Sequence, residues 1–164
     1  MADSIIESDM KFISENAFHI EKSGLYTNLG GGIRSVEFIR TKDEKLLFVE
    51  AKTTFPNPDN PSVENYEKFQ AEINDICDKF VHSLNIYSSI KVGINEEPFA
   101  DGFVSTEKVY LVFILVIKNH KPEWCKKIKP KFIAALPTYL KKIWKPEVYV
   151  INHENAIKRN LAIS

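Results

Sequence analysis

Residues 33–54 contain two apolar segments separated by a short charged one, and this pattern most constrains the fold. Segments 33–41 and 46–54 contain most of the Ile, Val, Leu and Phe of this region, whereas 42–45 reads Lys-Asp-Glu-Lys. Such a pattern is typical of two β-strands joined by a tight turn. With the turn centred on Asp43 and Glu44, Thr41 faces Leu46. The sequence therefore predicts a β-hairpin.

The same count places charged residues opposite each other inside the hairpin. Glu37 then faces Glu50, and Lys52 lies two residues further along on the same face. Directly paired residues have Cβ atoms only about 4.5–5.5 Å apart. Two carboxylates at that separation among apolar residues repel each other unless a cation or a shared proton lies between them. The alternative is that both acids lie on a solvated face, with Lys52 as a simple charge partner.

An acid on one strand followed by Glu-x-Lys on the next resembles the PD-(D/E)xK nuclease superfamily, which has the restriction-endonuclease-like fold. The matching residues are Glu37 and Glu50-Ala51-Lys52. The first acid of the family is usually Asp, so Glu37 departs from the pattern. Asp43 is the other acid available, but it lies in the turn and is expected to point to water.

The resemblance implies metal-dependent phosphodiester hydrolysis. Glu37, Glu50 and the backbone carbonyl of Ala51 would bind Mg²⁺ or Mn²⁺, since hard oxygen ligands favour these cations. Lys52 would orient or deprotonate the attacking water and stabilise the charge of the transition state.

Two further residues are candidates only by the same resemblance. Some relatives add an acid from the first helix, for which Glu7 is best placed, or a Gln or Lys from the helix after the hairpin, for which Gln70 is a candidate. For each of them an ordinary solvent-facing side chain is the alternative.

The remaining pattern predicts one α/β domain over residues 1–164, with a mixed sheet flanked by helices and the order α-β-β-β-α-β-α-β. The first helix begins at a cap on Asp3 or Ser4, and its stripe of Ile6, Met10, Ile13 and Ala17 has helical spacing. The other predicted elements are a strand at 17–22, a loop at 24–32, a helix from Ser62 to Leu84, a central strand at 109–117, helical pieces from Pro122 broken at Pro130 and Pro137, a strand at 147–151 and a helical turn at 155–160.

Composition limits the alternatives. Cys77 and Cys125 are predicted to be small buried residues, and the four histidines are scattered without metal-ligand spacing. No apolar run follows a basic N-terminus, and the longest apolar run is too short to span a bilayer as a helix. These observations favour a cytoplasmic protein without a membrane segment, and they leave its oligomeric state open.

The distribution of charge allows a nucleic-acid partner. The net charge is zero, but residues 118–145 carry nine lysines and one acid, Glu123. This basic stretch can follow a phosphate backbone, or it can be a solvated helix face. The zero net charge and the Glu at position 37 also support a second hypothesis, a nuclease-like module that binds or regulates without cutting.

Overall fold

The computed structural model describes residues 4–99, 103 and 109–164, and its first element is a β-hairpin rather than a helix. Strands β1 (Ser4–Glu7) and β2 (Met10–Ile13) pair antiparallel. The predicted first helix, and with it the first element of the order α-β-β-β-α-β-α-β, is therefore wrong. Its alternative cap, Asp3, lies outside the described residues.

Turn geometry and burial explain the hairpin. Ser8 and Asp9 have φ of 49° and 58°, and positive φ at both central residues matches the twist of paired strands. Ile5 is buried whereas Ile6 is 63% exposed, so burial alternates with the period of a strand. The helical spacing of the apolar residues was coincidental.

A five-stranded mixed sheet forms the centre of the fold. Its order is β3-β4-β5-β6-β7, with β3, β4 and β5 antiparallel and β5, β6 and β7 parallel. The bounds are Ala17–Phe18, Phe38–Lys42, Lys45–Lys52, Tyr110–Ile117 and Glu147–Asn152 for β3 to β7. The predicted central strand is confirmed as β6, which lies between β5 and β7. The predicted strand at 17–22 is shorter, because a 3₁₀ turn, Ile20–Lys22, follows β3.

Five helices and one short strand complete the described chain: α1 (Gly24–Leu29), α2 (Val63–Lys91), α3 (Pro122–Ala135), α4 (Thr138–Trp144), α5 (His153–Lys158) and β8 (Ala162–Ile163). Ser62 caps α2 as predicted, by accepting a hydrogen bond from the Asn65 N–H. The helix continues past Leu84 to Lys91. Helix α1 replaces most of the predicted loop at 24–32, and Ser23 caps it.

The central sheet is covered on both faces, but by different kinds of element. On one face, Phe80 of α2 stacks on Phe113 of β6 at 4.7 Å between ring centroids, and Phe132 of α3 lies 5.4 Å from Phe80. On the other face, β1, β2 and β8 form a small second sheet, and Phe12 packs on Phe38 at 5.3 Å. The mixed sheet with flanking helices is thus confirmed, but a hairpin sheet takes the place of the predicted first helix.

Proline positions decide where the helices after β6 end. Pro137 separates α3 from α4 as predicted, and Leu136 before it is extended with ψ of 141°, as the residue before a proline prefers. The predicted break at Pro130 is wrong, since α3 continues through it. Ile128 and Phe132 on either side are fully buried, and this packing offsets the one hydrogen bond that Pro130 removes.

Among the helices that the described residues form, none combines the length and hydropathy needed to cross a lipid bilayer.

Candidate metal centre

The turn of the predicted hairpin is confirmed. Asp43 and Glu44 are its two central residues, with φ of 49° and 63°. Thr41 pairs with Leu46 as predicted. This register directs Leu46 and every second residue after it toward α2, because successive side chains alternate across a strand.

Glu37 and Glu50 lie where this strand pair opens. The ladder ends with Phe38 opposite Val49. Glu37 immediately precedes Phe38, and its N–H donates to the same Val49 carbonyl at 3.1 Å. Glu37 is therefore held one residue beyond the last ladder pair, beside the strand that carries Glu50.

Glu50 is fully buried beneath α2. Its Oε1 accepts a hydrogen bond from Lys79 Nζ of α2 at 2.5 Å. Burial raises the pKa of Glu50 to about 7, although the charges of Lys79 and Lys52 lower it. Lys79 is affected in return: burial lowers its pKa, but Glu50 outweighs this and the net shift is upward. The two side chains form a buried ion pair above about pH 7, where Glu50 has lost its proton.

Glu37 is also buried and is surrounded by other acids. Burial, a hydrogen bond with Glu21 and the charge of Glu50 together raise the pKa of Glu37 to about 10. Glu37 is therefore protonated at neutral pH when no cation is bound. A proton on Glu37 relieves the repulsion expected between acids at this position when no cation is bound.

Each of these two buried acids keeps one oxygen without a donor. Glu37 Oε2 and Glu50 Oε2 are buried, and neither accepts a hydrogen bond from any of the described residues. A buried acceptor without a partner costs free energy. A cation bound by Glu37 would satisfy its oxygen, and Glu50 is close enough for its charge to act on Glu37.

Glu37 also belongs to a group of four side chains that are spaced to hold a metal ion. One ligand atom from each of Glu7, His19, Glu21 and Glu37 lies within 4.8 Å of the others. His19 Nε2 contacts Glu7 Oε1 at 2.9 Å. Glu7 ends β1, His19 follows β3 and Glu21 lies in the 3₁₀ turn. Three carboxylates with one imidazole favour a hard cation such as Mg²⁺ or Mn²⁺.

Lys52 lies on the face of β5 that carries Glu50, as predicted, but its ammonium group is directed to α2. Lys52 Nζ is 3.5 Å from Glu72 Oε2 and 4.0 Å from Asp75 Oδ2. Asp75 also binds Arg34 Nη1 at 2.6 Å. Lys79, rather than Lys52, is the lysine in direct contact with Glu50.

The other predicted residues are placed as follows. The Ala51 carbonyl accepts a hydrogen bond from Ser8 Oγ at 3.0 Å, and Ser8 follows Glu7, so this carbonyl is directed toward the β1–β2 turn. Gln70 is half-buried on α2, and no hydrogen bond among the described residues joins it to the acids. Asp43 is exposed in the hairpin turn, at the far end of β5.

A polar cleft borders the acids. It has a volume of about 340 Å³ and is lined by Glu21, Tyr26, Gly32, Ile33, Arg34, Ser35 and Lys79. Glu21 contacts Glu37, and Lys79 contacts Glu50, so both acids lie next to this opening. Arg34 and Lys79 add two cations to its lining. The cleft can admit an anionic group to the carboxylates.

Sequence reasoning missed four of these residues: His19, Glu21, Arg34 and Lys79. His19 and Glu21 lie in an irregular segment whose sequence shows no hydrophobic periodicity. Their approach to Glu37 depends on the β3–β4 pairing. Lys79 had a usable signal, since it lies on α2 beside Phe80 and one helical turn after Asp75. A buried acid on β5 requires a cation on the helix that covers it.

The basic stretch at 118–145 lies on α3, α4 and their flanks, and several of its lysines already have partners. Lys127 pairs with Asp59. Lys129 lies over the ring of Tyr149, and Lys131 lies over the ring of Phe69. The stretch is therefore partly used to bind neighbouring elements of the same chain.

Comparisons of this chain with protein-family models, with curated proteins and with solved structures find no match.

Proposed function

We propose that this protein is a metal-dependent phosphodiester hydrolase of the nuclease type, with a restriction-endonuclease-like core. The observation that carries the proposal is the pair of buried carboxylate oxygens, on Glu37 and Glu50, that lack a donor among the described residues and lie beside a cationic cleft. The ion pair between Lys79 and Glu50 engages only Glu50 Oε1, so it satisfies neither of these two oxygens.

The residues present fit a hard divalent cation. Glu7, Glu21 and Glu37 would hold it, with His19 as a nitrogen ligand, and the charge of Glu50 acts on Glu37. Such an ion, when bound, neutralises charge on a phosphoryl oxygen and lowers the pKa of water. This set contains Glu37 and Glu7, both of which the resemblance implies, although Glu7 comes from β1 rather than from a helix. His19 and Glu21 are additional to the residues that the resemblance implies.

The chain supplies the remaining requirements from its own side chains. Arg34 is 54% exposed at the cleft and presents a guanidinium to an incoming phosphate, a group whose geometry matches phosphate oxygens. Lys79 lies deeper, against Glu50. Lys52 lies outside the lining of the cleft, but its contacts with Glu72 and Asp75 are long enough for it to turn toward a bound phosphate.

A non-catalytic binding module is the second candidate, and the Glu50–Lys79 pair favours it. The 2.5 Å contact already neutralises Glu50 without a metal ion. In this alternative the cleft binds an anion through Arg34 and Lys79, and Glu37 keeps its proton.

A metal titration with a cleavage assay distinguishes the two. Mn²⁺ binding is measured by calorimetry, and cleavage of single- and double-stranded DNA and RNA is measured with Mn²⁺ or with a chelator. The hydrolase binds Mn²⁺ and cuts at least one substrate, and Glu37→Gln loses both properties, whereas the exposed control Glu67→Gln retains them. A parent protein that neither binds Mn²⁺ nor cuts any of the four substrates would refute the hydrolase and leave the binding module.

A further inference from the structure

A second pocket lies on the opposite face of the central sheet from α2, near the start of β5. Its volume is about 210 Å³, and ligand pockets typically measure about 300–1,000 Å³, so it suits one small molecule. Lys45 at the start of β5 lines it, whereas Glu50 and Lys52 lie at the end of that strand. The pocket is therefore separate from the candidate metal centre.

The rim of this pocket is strongly cationic. Arg40, Lys42, Lys45 and Arg159 line it, and among the described residues Asp43 is the only acid that does so. Among the ion pairs of the described residues, none involves any of these four cations. The charges of Glu15 and Asp43 act on Arg40, but none of the four cations is engaged in an ion pair by a described residue.

Arg40 is fixed in position by the backbone. Only 6% of Arg40 is exposed to solvent. Its Nε donates to the Glu15 carbonyl at 3.1 Å, and its Nη1 donates to the Asn160 carbonyl at 3.0 Å. A guanidinium has five N–H donors, so Arg40 keeps donors that these two hydrogen bonds do not use. None of its nitrogens is both buried and without a hydrogen-bond partner. The remaining donors can therefore reach a ligand in the pocket.

The floor of the pocket is apolar. Leu47, Val112, Ile114 and Ile151 form it, and Tyr149 forms one side. The Arg159 guanidinium lies 4.9 Å from the centroid of the Tyr149 ring, which places a charge above an aromatic wall. An apolar floor beneath a cationic rim is complementary to a molecule with an apolar body and one acidic group.

We propose that this pocket binds a small organic anion, with its phosphate or carboxylate group on Arg40, Lys42, Lys45 and Arg159 and its apolar or aromatic body on the floor beside Tyr149. The body supplies affinity through burial, and the rim supplies charge-assisted hydrogen bonds. This proposal does not depend on the metal centre.

Four matched probes test the proposal in the presence of a chelator: phenyl phosphate, benzoate, inorganic phosphate and benzyl alcohol. Binding is followed by NMR shifts of the amides of β5, β6 and β7. We expect at least one of phenyl phosphate and benzoate to bind with a dissociation constant in the millimolar range or below. The tighter of the two shows whether the pocket prefers a phosphate or a carboxylate. The tighter of these two probes should bind about tenfold more tightly than inorganic phosphate, which lacks the apolar body, and than benzyl alcohol, which lacks the acidic group.

Variants test the assigned residues. Lys45→Gln and Arg159→Gln are exposed substitutions that leave the fold intact, and each weakens the binding of the best probe about tenfold. Lys142→Gln on α4, which packs on the opposite face, is the matched control and leaves binding unchanged. Equal binding of benzyl alcohol, unchanged binding in both rim variants, or no saturable binding of either organic anion would overturn the proposal.

Discussion

Replacing Glu37 by Gln should stabilise the metal-free protein, although it replaces a buried carboxyl group of the candidate site. Glu37 keeps its proton in the folded state up to a pH of about 10, because its pKa is raised from the ordinary 4.5. In the unfolded chain it loses that proton above about pH 4.5. Its contribution to stability is therefore complete at acid pH and is lost progressively as the pH rises toward 10. Each pH unit in that window costs about 1.4 kcal/mol.

Glu37→Gln carries no ionisable proton but retains a donor for the hydrogen bond with Glu21. The stability of the variant relative to the parent should therefore rise by about 2–3 kcal/mol between pH 6 and pH 8. The contribution of Glu50, whose pKa is raised to about 7, is present in both proteins and largely cancels in the difference.

Urea unfolding followed by circular dichroism at several pH values, with a chelator present, measures this difference. The exposed Glu67→Gln variant is the control and should follow the parent at every pH. Parallel pH profiles of the parent and Glu37→Gln would refute the reasoning, because Glu37 would then ionise as readily in the folded protein as in the unfolded chain.

The same proton predicts how metal affinity depends on pH. A cation that binds the Glu37 carboxylate must displace its proton, so the Mn²⁺ affinity of the parent should rise about tenfold per pH unit near neutrality. Glu37→Gln should lose both the Mn²⁺ affinity of the parent and its dependence on pH. Calorimetry in buffers of different ionisation enthalpy counts the released proton, and an affinity that does not change with pH would place the ion away from Glu37.

Four further substitutions test the roles assigned to other residues. Lys52→Ala should abolish cleavage and leave Mn²⁺ binding intact, whereas Glu50→Gln should abolish cleavage and also weaken Mn²⁺ binding. Both variants are compared with the parent by Mn²⁺ titration and by the cleavage assay. If Lys52→Ala cuts as well as the parent, the role assigned to Lys52 is wrong. Lys79→Gln leaves Glu50 buried without a cation, so the free energy of unfolding in urea should fall by about 3–5 kcal/mol at pH 8. The decrease should be smaller at pH 6, because Glu50 accepts a proton there. Equal decreases at both pH values would contradict this prediction. Ser62→Ala removes the cap of α2 and should cost about 1 kcal/mol by the same measurement, with unchanged stability as the contrary result.

Local patterns were sufficient to predict much of the central sheet from the sequence. Asp43 and Glu44 between two apolar segments determined the turn and register of the β4–β5 hairpin, because pairing beyond a two-residue turn follows by counting. The run ending at Ile117 is apolar on both faces, and only a strand covered on both sides buries such a run. Ser62 followed by a helical stripe determined the start of α2.

The first hairpin shows where the same kind of reasoning fails. Ile6, Met10 and Ile13 have helical spacing, yet the chain turns at Ser8 and Asp9. In a stretch this short, helical and strand periods share several positions, and the choice is made by what the segment packs against. Here Phe12 is buried against Phe38 of β4, a contact that does not exist until the central sheet is formed.

The candidate site was decided by tertiary structure for a similar reason. The sequence identified Glu37 and Glu50, since charged residues inside apolar strands are costly and conspicuous. It did not identify Glu21 or His19, because an acid in an irregular turn is ordinary until folding places it against a buried carboxylate. The Lys79 contact with Glu50 likewise depends on how α2 crosses β5. Burial and the electrostatic field of neighbouring groups set the protonation of these acids, and both exist only in the folded chain.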